Sequence, residues 1–367
     1  MHLNKKKFKI GIILGTRPEI IKMSPVIREC VDKKINFFIL HTNQHYSENL
    51  DRIFFKELKL PHPKYNIGSR SGTHAEELSR MIIGIEKVLF FERPEFILVL
   101  GDTNTVLAGT LVASKLGIRI GHIEAGLRSY DRNMPEEINR VLTDHSSDLL
   151  FVPTKAAGKN LEKEGVPKNK IFITGSTIVD SVFQNLKISK KRSGIVKDIS
   201  LESQQFILFT AHRPENVDSK ENLKKILSGI ELVADNFKLP IIFPMHPRTE
   251  KMIKKFELKV PKNIKTIHPV GYLDFLQLES NAKIIFTDSG GVQEEACILK
   301  VPCVTLRENT ERPETLEIRS NVLAGTDPLN ILKKAIKMAN IKRNWENPFG
   351  EKESSKRIID LLLKQSA

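Results

Sequence analysis

Short apolar runs alternate with amphipathic segments along almost the whole chain. Apolar stretches bounded by polar turns fall at Lys9–Leu14, Phe37–Leu40, Phe96–Leu100, Ile118–Ile123 and Leu149–Val152. They recur at Ile171–Ile173, Phe206–Phe209, Ile241–Phe243, Ile284–Phe286 and Pro302–Leu306. Between them lie segments with helical spacing, such as Thr105–Leu116 and Leu223–Phe237. Strands that are apolar on both faces, each followed by a helix, predict parallel sheets covered on both sides. The fold class expected is α/β, with two doubly wound, Rossmann-like domains.

The texture changes after Gly175. A helix-like stretch to about Leu186 gives way to Lys187-Ile188-Ser189-Lys190-Lys191-Arg192-Ser193-Gly194, read as a basic connector. A new strand opens at Phe206. Residues 1–175 are therefore expected to form an N-terminal domain and residues 176–352 a C-terminal one. The amphipathic segment 353–367 is expected to pack back on the first. In open α/β sheets ligands sit beyond the carboxyl ends of the strands. A cleft between the domains is therefore expected to gather the polar strand ends.

A length of 367 residues agrees with two cores rather than one. The 58 Lys and Arg outnumber 44 Asp and Glu, a formal net charge of +14 that permits polyanion binding. The lysines are dispersed, however, and no stretch interleaves basic and aromatic residues as single-strand binders do. The charge suits a small polyanionic substrate better than nucleic acid. No apolar stretch reaches the roughly 20 residues that cross a bilayer. Lys5 to Lys7 followed by Ile10–Leu14 imitates a signal peptide, but the apolar part is short and Arg17, Glu19 and Lys22 interrupt it. That segment reads as a buried first strand and the protein as cytoplasmic, without a membrane partner. Cys30, Cys297 and Cys303 lack CxxC spacing and read as small core residues.

Chemistry collects at the strand ends. The first run delivers Gly15-Thr16-Arg17-Pro18-Glu19-Ile20-Ile21-Lys22, without a GxGxxG fingerprint. Arg17 and Lys22 fit phosphate oxygens, or a solvated helix start. Phe96–Leu100 ends in Gly101-Asp102-Thr103, where Asp102 is either a helix cap or a carboxylate placed for proton transfer. The next strand ends in His122-Ile123-Glu124, whose alternating His122 and Glu124 emerge on one side, and no further ligand pair has metal spacing. Pro135 opens a helix on which Glu136 lies one turn from Arg140, either a surface ion pair or a carboxylate held by a guanidinium. His212 and Arg213 follow Phe206–Phe209, and His246 ends the next strand in the same style. Val270–Phe275 contains Tyr272 and Phe275 and reads as a base-stacking loop. Asp288-Ser289-Gly290-Gly291-Val292-Gln293-Glu294-Glu295 turns a strand into a helix. Its bare N–H groups and helix dipole fit a diphosphate, with Glu295 one turn on for a sugar diol; an ordinary glycine turn fits the same residues. Arg312 closes a further basic group.

Taken in order, GTRPEIIKMSPVI, GDTNTVLAGTLVA, HIEAGLRS, PEEINR, TAHRPEN, TDSGGVQEEA and TERPET resemble the non-hydrolysing UDP-N-acetylglucosamine 2-epimerases. The resemblance spans about residues 8 to 330 and implies a glycosyltransferase-B-like fold, a homodimer and no cofactor. It implies C2 epimerisation of UDP-N-acetylglucosamine through elimination of UDP to 2-acetamidoglucal and re-addition. It implies catalytic roles for Asp102, Glu124, Glu136 and His212. Arg17, Lys22, Arg140, Arg213, Tyr272, Phe275, Ser289, Gly290, Gly291, Glu295 and Arg312 would hold the UDP-sugar. A second UDP-N-acetylglucosamine acting as activator would meet Gln44, His45, Arg70 and His246. There the chain departs from the bacterial pattern, with Ser47 for the usual Gln and Pro214 for a second Arg. The rivals are a hydrolysing epimerase that releases N-acetylmannosamine, an epimerase of another UDP-2-acetamido sugar, and a glycosyltransferase-B-type transferase.

Overall fold

The computed structural model describes residues 8–43, 48–68 and 72–365. The chain divides into two compact units, Met1–Ser181 with Phe349–Ala367, and Val182–Pro348. The division falls inside the helix Thr177–Arg192. That helix runs through Lys187–Arg192, where the sequence predicts a connector. Lysine and arginine are good helix formers, and cations in a last turn favour the negative end of the helix dipole.

The first unit carries β1 (Ile10–Leu14), β2 (Phe37–His41), β3 (Tyr65–Asn66), β4 (Phe96–Leu100), β5 (Arg119–Ile123), β6 (Leu149–Val152) and β7 (Ile171–Ile173). They form one seven-stranded sheet in the order β3-β2-β1-β4-β5-β6-β7. Every observed pairing is parallel. β1 and β4 are buried along their whole length, as central strands covered on both faces must be. Ile13, Leu40, Ile97 and Val99 pack there with Met81, Ile85 and Leu89 of the helix His74–Glu92. The terminal helix Ser354–Gln365 packs on the helix Arg17–Asp32. Asp180 starts it by accepting from Ser355 N at 2.8 Å and Ser355 Oγ at 2.7 Å.

The second unit carries β8 (Ile207–Thr210), β9 (Ile241–Pro244), β10 (Ile264–Ile267), β11 (Ile285–Thr287), β12 (Cys303–Thr305) and β13 (Asn321–Leu323). Its six-stranded parallel sheet runs β10-β9-β8-β11-β12-β13. Ile207, Phe209, Phe243 and Phe286 form its core with Leu223, Ile226 and Ile230 of the helix Lys220–Phe237. All three cysteines are buried. Among the described residues no helix is long and apolar enough to cross a membrane.

Both sheets are doubly wound, of the glycosyltransferase-B-like class. In each, the chain reverses its direction of growth once, between β1 and β4 in the first and between β8 and β11 in the second. Ligand crevices form at such switch points, outside the carboxyl ends of the strands. The polar motifs follow these strand ends: Gly15–Lys22 after β1, Asp102 after β4, His212–Arg213 after β8 and Asp288–Gly291 after β11.

Candidate active site

In the first unit, Glu19 stitches two strand ends together. The turn after β1 needs glycine at position 15, because a Cβ there would run into the hydroxyls of Thr42 and Thr105. Thr16 caps the helix Arg17–Asp32 in a capping box with Glu19. Glu19 accepts from Gly15 N at 2.9 Å, Thr16 N at 2.6 Å and Thr103 Oγ1 at 2.8 Å. Burial raises its pKa, against those bonds. Thr103, rather than Asp102, caps the helix Asn104–Lys115. Asp102 is left with its side chain free of capping duty.

The helix Pro135–Ser146 holds Asp102 from the other side. Arg140 forms an ion pair with Asp102 and another with Glu137 at 2.6 Å. Asn139 Nδ2 donates to the Asp102 carbonyl at 2.9 Å. Arg140 therefore reaches Asp102 and its i−3 neighbour, not Glu136; the i,i+4 pairing read from the sequence is replaced. A glutamate at i−3 and a carboxylate at a strand end both lie on the buried side of the helix, whereas Glu136 faces outward and is exposed. Glu137 also accepts from Ser129 N at 2.9 Å and Tyr130 N at 3.0 Å. Burial would raise Glu137, but those bonds and Arg140 keep it below its ordinary value.

Glu124 stands one residue past β5 in a left-handed conformation, φ 67°. That conformation is uncommon for a residue other than glycine. Its carboxylate meets Lys22 Nζ at 2.7 Å. Its Oε2 lies 3.9 Å from the position a Cβ on Gly101 would take, beside the Asp102 turn. Below these groups His122 is buried, its Nδ1 2.7 Å from Asp144 and its Nε2 2.8 Å from the Gly101 carbonyl. Asp144 in turn accepts from Gly126 N at 3.1 Å and Arg128 at 2.7 Å. Burial opposes ionisation of Asp144, yet His122 and Arg128 outweigh it and lower its pKa. The ring thus ties together the turns that carry Asp102 and Glu124. Arg17 lies over the Phe54 ring, 5.3 Å from its centroid.

In the second unit, Asp288 organises the strand ends. It is fully buried and accepts from His212 N at 3.0 Å, Arg213 N at 3.0 Å and Asn216 Nδ2 at 3.1 Å through Oδ2. Its Oδ1 lies 3.2 Å from His212 Nδ1. Burial pushes Asp288 up, but these donors hold it below the usual carboxylate range. The sequence alone assigns this residue no role; a carboxylate at a strand end, before Ser-Gly-Gly and a helix, is the available signal. The His246 ring stands 5.5 Å from that of His212. Burial, His212 and Arg248 lower the pKa of His246.

Ser289 is the N-cap of the helix Gly290–Ile298 and makes no side-chain capping bond. Tyr272 donates from its hydroxyl to Glu295 at 2.9 Å. Tyr272 and Phe275 belong to the helix Tyr272–Asn281, not to a loop. Gly271 is its N-cap, and apolar residues at helical spacing carry it inward, burying the Tyr272 ring. Phe275 packs against the core beneath β11. Arg312 Nε pairs with Glu294 at 2.6 Å. Gln44, His45 and Arg70 lie outside the described residues.

The structure therefore gathers Asp102, Glu124, Lys22 and Arg140 at one sheet edge, and His212, Arg213 and the Ser289–Gly291 turn at another. In the first unit carboxylates stand beside cations at the strand ends; in the second a helix N-terminus stands beside His and Arg, the kind of group that receives anions in α/β folds. A family model described as UDP-N-acetylglucosamine 2-epimerase matches residues 28–363. The chain is 59% identical over 361 residues to a UDP-N-acetylglucosamine 2-epimerase of Methanococcus maripaludis, covering 97% of this chain and 98% of that one. It is 40% identical to a UDP-2,3-diacetamido-2,3-dideoxy-D-glucuronate 2-epimerase of Pseudomonas aeruginosa, over 97% and 99% of the two chains. A crystal structure of the Methanocaldococcus jannaschii UDP-GlcNAc 2-epimerase, in complex with UDP-GlcNAc and UDP, superposes with a TM-score of 0.87 at 57% identity. That match covers 97% of this chain and 100% of the other. The chain belongs to the UDP-N-acetylglucosamine 2-epimerase family.

Proposed function

We propose that the protein interconverts UDP-N-acetylglucosamine and UDP-N-acetylmannosamine by inverting C2, without releasing free sugar. The proton on C2 has no adjacent carbonyl and is a weak acid. Partial departure of UDP builds oxocarbenium character at C1 and acidifies it. Elimination breaks the C1–O and C2–H bonds and leaves 2-acetamidoglucal and UDP. Returning a proton to the opposite face of C2 while UDP re-adds at C1 completes the inversion. The electron count balances without an external oxidant or reductant.

Asp102 and Glu124 serve as the acid/base pair in this reading, with Glu136 positioning the sugar. The observation that supports it most is the meeting of two carboxylate-bearing turns at adjacent strand ends, each held by its own cation, Arg140 and Lys22. His212 binds phosphate or assists UDP departure. Arg17, Lys22, Arg213, Ser289, Gly290, Gly291 and Arg312 neutralise and seat the diphosphate, while Glu295 takes the ribose diol. Tyr272 orients Glu295 through its hydroxyl. Cationic side chains and a helix N-terminus can stabilise the developing diphosphate charge directly.

Incubation with UDP-N-acetylglucosamine in D₂O, followed by NMR, tests the reading. Deuterium at C2 of both UDP-sugars is the expected result. Release of free N-acetylmannosamine would make the enzyme hydrolysing instead. A second reading concerns the sugar: similarity to the 2,3-diacetamido-glucuronate 2-epimerase favours the same chemistry on a uronate. Deuterium entering only that UDP-sugar would move the assignment to it.

A further inference from the structure

We propose that Glu311 sets the affinity of the diphosphate seat as its built-in rival anion, an inference that rests on reading the Ser289–Gly291 turn as that seat. Glu311 forks onto Arg307, with Nη1 to Oε2 at 2.8 Å and Nη2 to Oε1 at 3.0 Å. The Nη2 of Arg213 lies 3.8 Å from Glu311 Oε1. The other oxygen, Oε2, falls 3.7 Å from where a Cβ on Gly290 would stand. Around Gly291 the nearest neighbour of such a Cβ is the Ser289 hydroxyl, at 3.9 Å. The first turn of this nine-residue helix contains no acidic residue, and the side chain of its N-cap Ser289 makes no capping bond. A carboxylate from a separate loop therefore stands at the positive end of the helix, paired with the guanidinium groups that line it.

Burial opposes the charge on Glu311, but Arg307 and Arg213 hold its pKa at about 2, so the carboxylate is ionised throughout the neutral range. A diphosphate seeks what Glu311 already has: a guanidinium fork and the open end of a helix. Two anions this close repel, so the carboxylate must withdraw from Arg213 and Gly290 or lower the affinity by staying. In either case Glu311 weakens diphosphate binding and hastens its release. Thr310 supports the loop through Gln293 on the helix, and the Glu311 carbonyl accepts from Arg312 Nη1 at 2.9 Å. Replacing the Glu311 side chain thus leaves the loop's other anchors in place.

Calorimetric titration of the full chain with UDP tests this. Glu311→Gln keeps the shape and removes the charge. It should bind UDP about three- to tenfold more tightly than the wild type, with a steeper loss of affinity as salt rises. Glu317→Gln, the same change of charge at an exposed position on the following short helix, should leave UDP affinity unchanged. Weaker or unaltered binding by Glu311→Gln would overturn the proposal and make Glu311 a tether for the arginines. Equal tightening by both variants would also overturn it, as an effect of net charge alone. If Glu311→Gln does not fold, Glu311→Asp, which draws the carboxylate back by one methylene, should tighten UDP binding about twofold. A wild type that turns over its UDP-sugar in D₂O, but shows no gain in either variant, defeats this inference and leaves the proposed function standing. Failure of the wild type to bind UDP defeats both.

Discussion

Replacing Asp288 by asparagine strikes the group that fixes the second unit's strand ends while changing volume hardly at all. Oδ2 receives three donors, from His212 N, Arg213 N and Asn216 Nδ2, at 3.0 to 3.1 Å. An amide can present its oxygen to only one side. Its NH₂ must then face the His212 donors or the Oδ2 cluster, leaving at least one buried donor without an acceptor. Hydrogen bonds to charged groups are worth about 1.5–3 kcal/mol, and a buried orphan donor costs about 1–3 kcal/mol. The expected loss is therefore about 2–4 kcal/mol, measured as urea unfolding. The turn carrying His212 and Arg213 loosens with it, so UDP affinity should fall at least about tenfold by calorimetry. The pH dependence has a definite sign. Because folding lowers the Asp288 pKa, its stabilisation is complete above the ordinary value of 3.8 and is lost as pH falls through the folded value. The gap between wild type and Asp288→Asn should be constant near neutrality and close in acid. Equal unfolding midpoints and equal UDP affinities, or a gap that widens on acidification, would refute the reasoning.

Other outcomes follow from the same geometry. Asp102→Asn and Glu124→Gln should each lose at least about a hundredfold in turnover while UDP still binds; near-normal turnover in both would remove the acid/base assignment. Glu279, fully buried beside Glu295, has its pKa raised well above 4.5, first by burial and then by Glu295. Its contribution to stability is present below 4.5 and lost as pH rises through the folded value. Glu279→Gln should therefore outlast the wild type in alkaline unfolding and lose that advantage in acid; an advantage that is the same at every pH would contradict a neutral Glu279.

The central strands were readable as sequence because parallel strands buried on both faces must be apolar throughout, as β1 and β4 are. The strands that escaped reading lie at or next to sheet edges. β3, β10 and β13 end their sheets, and β10 is buried only at Ile264, with exposed Lys265 and Thr266. One covered face leaves too little apolar signal in two to four residues. The positions of Gly15–Arg17, Asp102, His212 and Asp288 were legible as well, since each follows an apolar run by one to three positions.

Side-chain partnership was not legible. Local spacing pairs Arg140 with Glu136, but the structure turns Arg140 toward Glu137 and Asp102, the latter 38 residues away in sequence. Local spacing likewise offered no partner for Asp288, whose donors lie 72 to 76 residues upstream. Sequence by itself determined the alternation of elements, the class of the sheets and which residues would stand at strand ends. These follow from the covalent chain and from which positions water rejects. Tertiary structure alone decided which charges neutralise one another, because a buried carboxylate accepts whichever donors the winding of the sheet brings within about 3 Å.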